Sequence, residues 1–203
     1  MSAPAPAALA GIRVVELATV IMAPLAAQLL GDLGADVIRV EGGPDDISRA
    51  MDPGPHPELS GVALNLHRNK RSIAIDLSSD SGRDAIAKLL NTADIFITNL
   101  RPGPLSRLRL DYDHVAPTRP RLIYVQAQGF RTDDAEQDRP AFDDIIQAET
   151  GIPQLIGDIW EEPRFVPAAM ADKVAGYTIV QAVLAALFHR ERHWSALEKL
   201  VQF

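Results

Sequence analysis

The amino-terminal stretch limits the possible folds of this chain more than any other stretch. It holds a valine-rich, strand-like run at residues 13–17, a helix that Pro24 opens and that runs to about residue 33, and a second strand-like run at residues 35–41. Gly34 stands where a left-handed residue would end the helix. Strand, helix and strand in this short span predict a right-handed βαβ unit with parallel strands.

The same alternation continues along the chain. The other predicted elements are strands at residues 72–76, 93–99 and from 121 to the Gly129 turn, and helices at residues 82–90, 140–149 and from Asp172 onward. Gly157, Trp160 and Pro163 are placed in a loop before the last helix. The predicted fold class is α/β: a Rossmann-like open sheet, mainly parallel, with helices on both faces, ending in a long C-terminal helix.

The composition narrows the possible partners. Of the 203 residues, 47% are hydrophobic, enough for a buried core, and the net charge of −7 argues against nucleic acid or an anionic membrane as a partner. Cysteine is absent and the five histidines are scattered, so no metal site is predicted. Since the start lacks a basic signal region and no apolar run reaches about 18 residues, we expect a cytoplasmic protein with a disordered lead at residues 1–8.

The loop after the first strand argues against a dinucleotide cofactor. Glu41 ends the second strand, as the ribose-binding acid of a dinucleotide fold does. However, residues 18–24 contain no glycine, and a pyrophosphate needs close approach of the backbone at that loop. We therefore predict that NAD is not bound.

Two groups of polar and basic residues lie next to predicted strands. Asn69, Lys70 and Arg71 precede one strand, and Asn99, Arg101 and Arg107 follow another. Ligands of open α/β sheets bind beyond the carboxyl ends of the strands, and cations there suit an anionic ligand. From the residues alone, both a solvated turn and a phosphate clamp remain open for residues 69–71.

Asp172 stands at the start of the long apolar helix, among small residues. An aspartate at this point can be an N-cap, because its oxygen accepts the free amide hydrogens of the first turn. The same placement would hold a reactive carboxylate beside a cleft. Both interpretations remain open at this point.

Short motifs in order along the chain resemble those of the class III CoA-transferases, the CaiB/BaiF family, which includes formyl-CoA and carnitine-CoA transferases and α-methylacyl-CoA racemases. The motifs lie at residues 9–17, 23–24, 33–41, 69–72, 101–103, 129–130, 147–148, 150–151 and 171–172. Each motif alone is weak, but the ordered set is specific.

The resemblance implies an enzyme that moves CoA between carboxylic acids, with Asp172 as nucleophile and an aspartyl-CoA thioester as intermediate. It implies acyl-CoA and an acceptor acid as substrates, without metal or NAD. Lys70, Arg71, Arg101 and Arg107 become candidates for binding the CoA phosphates, with Asn69 and Asn99 beside them. Val20 and Ile21 match positions that contact CoA.

Two departures from the family pattern affect these expectations. The racemase branch carries a histidine where this chain has Phe142, so racemisation is disfavoured. Family members also continue for about as long again. Residues 9–190 are therefore expected to be the N-terminal, large-domain region, followed by a divergent helical tail at 191–203, with the small second domain and its glycine loop absent.

Two functions remain open. The first is a CoA-transferase that uses Asp172. The second is a non-catalytic CoA-binding or interaction subunit of a split or truncated transferase, in which Asp172 is only a helix cap. An apolar face at Val180, Val183, Leu184 and Leu187 is expected to stay open and to bind a partner, as a homodimer or as a heteromer with a chain that supplies the missing half.

Overall fold

The computed structural model describes residues 6–42, 46–51, 53–57, 59–131 and 135–192, and the backbone of residues 200–202. Within these residues, one parallel sheet has the strand order β3-β2-β1-β4-β5-β6. The strands are β1 (Arg13–Leu17), β2 (Asp36–Glu41), β3 (Lys70–Ala74), β4 (Ile95–Thr98), β5 (Ile123–Gln126) and β6 (Leu200–Gln202). The helices are α1 (Met22–Asp32), α2 (Ile47–Ala50), α3 (Gly61–Leu66), α4 (Asp80–Leu90), α5 (Pro102–Leu108), α6 (Tyr112–Val115), α7 (Asp143–Glu149), α8 (Ile152–Trp160) and α9 (Met170–Arg192), with a 3₁₀ turn at Ala116–Thr118.

The first βαβ unit forms as predicted. Gly34 follows α1 with φ +101°, and a Cβ there would lie 2.3 Å from the Cβ of Ala7. Only glycine therefore suits both the backbone conformation and the close approach. Ala7 also accepts a hydrogen bond from the Ala10 amide at 3.0 Å, so the predicted disordered lead does not extend to this residue; residues 1–5 lie outside the described part.

Helices cover both faces of the sheet and enclose two apolar cores. The first core joins α1 and α9 to one face through residues such as Leu30, Ile97 and Val183. The second joins α4, α5 and α6 to the other face through residues such as Ile86 and Tyr124. The predicted α/β class with a long last helix is confirmed.

Helix α9 is part of the first core along most of its length. By length and composition it could also cross a membrane, and it is the one helix of the described residues that could. However, its buried stripe packs on α1, and the buried Arg190 guanidinium pairs with Asp94 at 2.9 Å. Val180, Val183 and Leu187 lie in this buried stripe, so the prediction that they form an open face is wrong. Leu184 is 36% exposed, and it lies with exposed residues that the sequence analysis did not name.

Among the element boundaries that differ from the prediction, three change how the residues are interpreted. Strand β3 begins at Lys70 and not at residue 72, so the basic residues before it belong to the strand. Residues 152–160 form α8 and not a loop: Gly151 begins it at φ +76° and Pro153 lies in its first turn, where a proline is tolerated. Residues 200–202 form a strand and not the expected helix, while residues 193–199 lie outside the described part.

The crossing of α1 and α9 depends on Gly176. A Cβ at this position would lie 3.0 Å from both Leu25 Cδ2 and the Met22 carbonyl oxygen. The absence of a side chain lets the two helices approach closely one turn after Asp172. This contact therefore sets the position of the first turn of α9 against the loop that precedes α1.

We expect Gly176→Leu to lower the free energy of unfolding by about 1–3 kcal/mol, because the larger side chain forces the helices apart. Ala185→Leu is the matched control, since Ala185 is exposed on the same helix. It should change the free energy of unfolding by less than about 0.5 kcal/mol. Urea denaturation measures both variants, and equal effects would contradict the close crossing.

Candidate active site

A cavity of about 420 Å³ lies where the sheet order changes direction, next to β1 and β4. The chain leaves β1 towards one edge of the sheet and reaches β4 and β5 on the other side, so loops at the carboxyl ends diverge and leave a crevice. Its lining comes from the loops after β1, β4 and β5, from Ile47 of α2, from residues 137 and 139–142, and from the first turn of α9. Ligands of open α/β sheets bind at this point.

The loop after β1 is held in an unusual conformation by Asn99. The Thr19 amide donates to Asn99 Oδ1 at 3.0 Å, and Asn99 Nδ2 donates back to the Thr19 carbonyl oxygen at 2.8 Å. The next residue, Val20, has φ +65°, a strained conformation for a β-branched side chain. Strain of this kind persists only where the surroundings impose it, and it is common at functional sites.

A buried ion-pair network supports the same loop from below. The buried Arg39 guanidinium pairs with Glu16 at 3.0 Å and with Asp46, whose carboxylate accepts the Ser48 amide at 2.8 Å. Ser48 Oγ in turn accepts the Val20 amide at 3.3 Å. The sheet interior is therefore connected to the cavity wall by consecutive hydrogen bonds.

Asp172 is the third residue of α9 and not its N-cap, so the capping interpretation is wrong. Its own backbone amide donates to Asp143 Oδ1 at 2.8 Å, and Asp143 Oδ2 accepts from Gln147 Nε2 at 2.6 Å. The carboxylate that satisfies this helix terminus therefore comes from α7, 29 residues earlier in the chain. The Asp172 side chain is left to line the cavity.

The environment of Asp172 disfavours its charge. Burial of the carboxyl group, and secondly the neighbouring charge of Asp143, raise its pKa from 3.8 to about 6. Above that pH it is a partly buried carboxylate in a largely apolar cavity. Such a group is more basic than an ordinary aspartate and remains ionised at neutral pH, which suits a nucleophile.

The predicted site residues fall into two groups. Val20, Ile21, Asn99, Arg101 and Asp172 all line the cavity. Arg101 lies at the N-terminus of α5 and donates to the Asp138 carbonyl oxygen at 3.0 Å. Arg107 is exposed in the last turn of the same helix and does not line the cavity.

Residues 69–71 do not form one phosphate clamp in this structure. Lys70 is buried, and its Nζ pairs with Glu16 at 2.7 Å and donates to the Pro24 carbonyl oxygen at 2.8 Å. Asn69 donates to Asp32, and Arg71 pairs with Asp36 at 2.7 Å. They stand at the beginning of β3, away from the carboxyl ends of the strands, and carboxylates already neutralise both cations.

Sequence reasoning missed several residues that build the cavity. Asp143, which accepts the Asp172 amide, was not among the predicted site residues, and Ser48 and Gln128 were not singled out either. Gly129 was placed in a turn, and the structure gives the reason for a glycine there: a Cβ would lie 2.0 Å from the Cβ of Ala141. The close approach brings residues 140–142 over the end of β5 and forms one wall of the cavity.

We expect Asp172→Asn to raise the free energy of unfolding by about 1 kcal/mol at pH 8, after allowance for partial solvent screening. The pKa of Asp172 is higher in the folded protein than in the unfolded chain. The wild type therefore loses stability as the pH rises from about 4 to about 6, and the loss is complete above that range. At pH 4 the two proteins should be nearly equal.

Urea denaturation at both pH values measures this difference. Asp144→Asn is the matched control, because Asp144 is an exposed acid in the first turn of α7. It should lower the free energy of unfolding slightly at pH 8, since its charge complements the helix dipole. A loss of about 1 kcal/mol for Asp172→Asn at pH 8 would instead assign a stabilising role to the Asp172 carboxylate.

The chain is similar to proteins of one family over nearly its whole length. The family model described as CoA-transferase family III matches residues 9–195. "Probable fatty acyl-CoA transferase Rv3272" of Mycobacterium tuberculosis is 34% identical over 186 residues, which cover 90% of this chain and 47% of the relative. Succinate–glutarate CoA-transferase of Agrobacterium fabrum is 37% identical over 192 residues, covering 91% and 48%.

The beta subunit of succinyl-CoA–L-malate CoA-transferase of Chloroflexus aurantiacus is 37% identical over 191 residues, covering 91% of this chain and 46% of the relative. Among solved structures, the orthorhombic crystal form of Rv3272 from M. tuberculosis matches with a TM-score of 0.89 and 32% identity, covering 98% of this chain and 55% of the other. The chain spans about half the length of the curated relatives it matches.

Proposed function

Because this chain belongs to CoA-transferase family III, we propose that it binds acyl-CoA in the cavity at the switch point and that Asp172 carries CoA between two carboxylic acids. The observation that supports this most is the placement of Asp172. Its carboxylate lines the cavity in the first turn of α9, its pKa is raised to about 6, and its helix-capping role is taken by Asp143.

In the proposed reaction, an Asp172 carboxylate oxygen attacks the thioester carbonyl carbon. The C–S bond breaks, CoA leaves as a thiolate, and a mixed anhydride forms between Asp172 and the donor acid. The thiolate then attacks the Asp172 carbonyl carbon and releases the donor as a carboxylate, which leaves an aspartyl-CoA thioester. The acceptor carboxylate repeats these two steps in reverse, and no net proton is taken up or released.

The other residues of the cavity orient the substrate in this proposal. Asn99 fixes the strained Val20 loop, whose backbone forms the wall beside Asp172. Arg101 supplies an exposed positive charge on the same cavity, suited to a phosphate of CoA. Arg107, which does not line the cavity, adds a second exposed charge about one and two-thirds turns further along the chain. Both arginines remain predictions as CoA ligands.

The covalent step can be tested by trapping. Incubation with succinyl-CoA as probe, followed by hydroxylamine, should convert Asp172 into a hydroxamate that peptide mass spectrometry locates. Labelling should slow as the pH falls below about 6, because the protonated carboxyl group is not nucleophilic. Asp172→Asn should abolish the label, and Asp144→Asn should leave it unchanged.

The outcomes separate the two functions left open by the sequence. CoA binding by calorimetry without any label on Asp172 would contradict the transferase mechanism and favour a non-catalytic CoA-binding subunit. Absence of CoA binding would contradict both functions.

The same proposal includes an oligomer. Helix α9 exposes an apolar stripe on the side away from α1, with Val174, Tyr177, Leu184 and Phe188 between 36% and 62% exposed. Leu155, Ile159 and Trp160 of α8 are at least 63% exposed. Exposed apolar surface of this kind marks protein interfaces. We propose that the stripe binds a second copy of this chain, and a chain of different sequence is the competing occupant.

Light scattering at micromolar concentration should give a dimer, and Phe188→Asp should shift it to a monomer, because a buried unpaired charge is costly in an apolar contact. Ser81→Asp is the control: Ser81 is exposed on α4, which packs on the opposite face of the sheet. It should leave the mass unchanged. A wild-type monomer would contradict the homodimer.

A further inference from the structure

Phe142 presents an exposed aromatic side chain at the cavity. It is the N-cap residue of α7 and one of the residues that line the cavity, and 55% of it is exposed. A phenylalanine side chain cannot accept the hydrogen bond that serine, aspartate or asparagine accepts at a helix N-cap. Ligand cavities are lined mainly by apolar and aromatic side chains, so an exposed phenylalanine here suits contact with an apolar part of a ligand.

Phe142 lies next to the groups that surround Asp172. The residue after it, Asp143, accepts the Asp172 backbone amide at 2.8 Å, which joins the first turns of α7 and α9. Met22 also lines the cavity, and its carbonyl oxygen would lie 3.0 Å from a Cβ at Gly176, one turn after Asp172. Two apolar side chains from different helices therefore line the cavity close to the first turn of α9.

The charges at the cavity disfavour a further carboxylate near Asp172. Within the described part of the chain, the charged residues of the lining are Arg101, Arg139 and Asp172. Arg139 is already paired, with Glu136 at 3.1 Å and with Glu149 at 3.0 Å. Asp143 adds a second negative charge beside Asp172 and contributes to its raised pKa. An acyl group that ends in a carboxylate would meet two like charges there, and such repulsion selects against a ligand.

Arg101 is the remaining cation among these lining residues. It lies at the N-terminus of α5 and donates to the Asp138 carbonyl oxygen at 3.0 Å. The proposed function assigns its charge to a phosphate of CoA. An acyl carboxylate is then left without a cation among the described lining residues, and burial of an unpaired charge is costly. An uncharged, apolar acyl group avoids this cost and covers the exposed phenylalanine.

We propose that the acyl group carried by this chain is apolar and uncharged, that Phe142 contacts it, and that the chain therefore prefers monocarboxylic to dicarboxylic acids. This preference rests on the proposed function, because it takes Asp172 as the nucleophile that attacks an acyl-CoA. For attack, the thioester carbonyl carbon has to lie about 3 Å from an Asp172 carboxylate oxygen. The first carbons of the acyl chain then lie among the side chains next to Asp172, which include Phe142 and Met22.

The rate at which Asp172 is labelled tests the substrate class. With hydroxylamine as the trap and equal, subsaturating concentrations, hexanoyl-CoA should label Asp172 about tenfold faster than succinyl-CoA, because the apolar chain gains contacts that the charged one cannot use. The two thioesters share the whole CoA portion, so the ratio of their labelling rates reports the acyl group alone. Peptide mass spectrometry measures both rates.

Phe142→Arg should reverse this ratio, because its guanidinium would pair with the succinyl carboxylate. Phe142→Leu should keep the preference for hexanoyl-CoA, since leucine is also apolar. Phe165→Arg is the matched control: Phe165 is 51% exposed and is not among the residues that line the cavity. It should keep the wild-type ratio. Thermal unfolding checks that each variant is folded, and the wild-type ratio is decisive without any variant.

Three results would overturn the preference and leave the proposed function intact. Equal labelling of the wild type by both thioesters, or faster labelling by succinyl-CoA, would show that the cavity does not select an apolar acyl group. A folded Phe142→Arg variant with the wild-type ratio would show that this residue does not contact the acyl group. An equal change in Phe165→Arg would assign the effect to surface charge. A wild-type protein that neither thioester labels would remove the proposed function and the preference together.

Discussion

The parallel direction of the strands is the constraint on which the rest of this structure depends. It places every carboxyl end at one edge of the sheet, and the order β3-β2-β1-β4-β5-β6 separates the connections next to β1 and β4. The cavity is a consequence of that order and needs no special residues to exist. Residues only have to keep it open, and Asn99, Gly129 and Gly176 do so by fixing a loop, a wall and a helix crossing.

Charge is distributed unevenly around this sheet. The buried Arg39 and Lys70 share Glu16, and the pairs leave little free charge in the interior. Replacing one partner of such a network leaves an uncompensated buried charge, so the network specifies an arrangement more than it adds stability. The network holds α2 in position, and it thereby places the Ser48 hydroxyl where its oxygen accepts the Val20 amide hydrogen. Asp172, by contrast, has a second carboxylate, that of Asp143, as its charged neighbour. Its negative charge is therefore destabilised, whereas the charges of the Arg39 network stabilise one another.

Features that neighbouring residues determine were predicted from the sequence. Features that depend on contacts between residues far apart in the chain were missed. The first βαβ unit follows from neighbouring residues alone. Lys70 was placed before β3 because its charge indicates a loop, and only the distant Glu16 makes its burial possible. Gly157 and Pro163 indicate a loop by type, yet the glycine lies within α8 and lets Pro163 approach, since a Cβ would be 2.8 Å from the Pro163 nitrogen. The role of Asp143 depends on a contact that no local pattern contains.

Three features that cost stability meet at the cavity. Val20 adopts a strained backbone, Asp172 carries a charge that its surroundings disfavour, and Gln128 leaves an amide unpaired. In a chain selected for stability alone, glycine at position 20, asparagine at position 172 and leucine at position 128 would remove these three costs. Because three independent costs meet in one cavity, a bound molecule that offsets them accounts for the arrangement better than packing does.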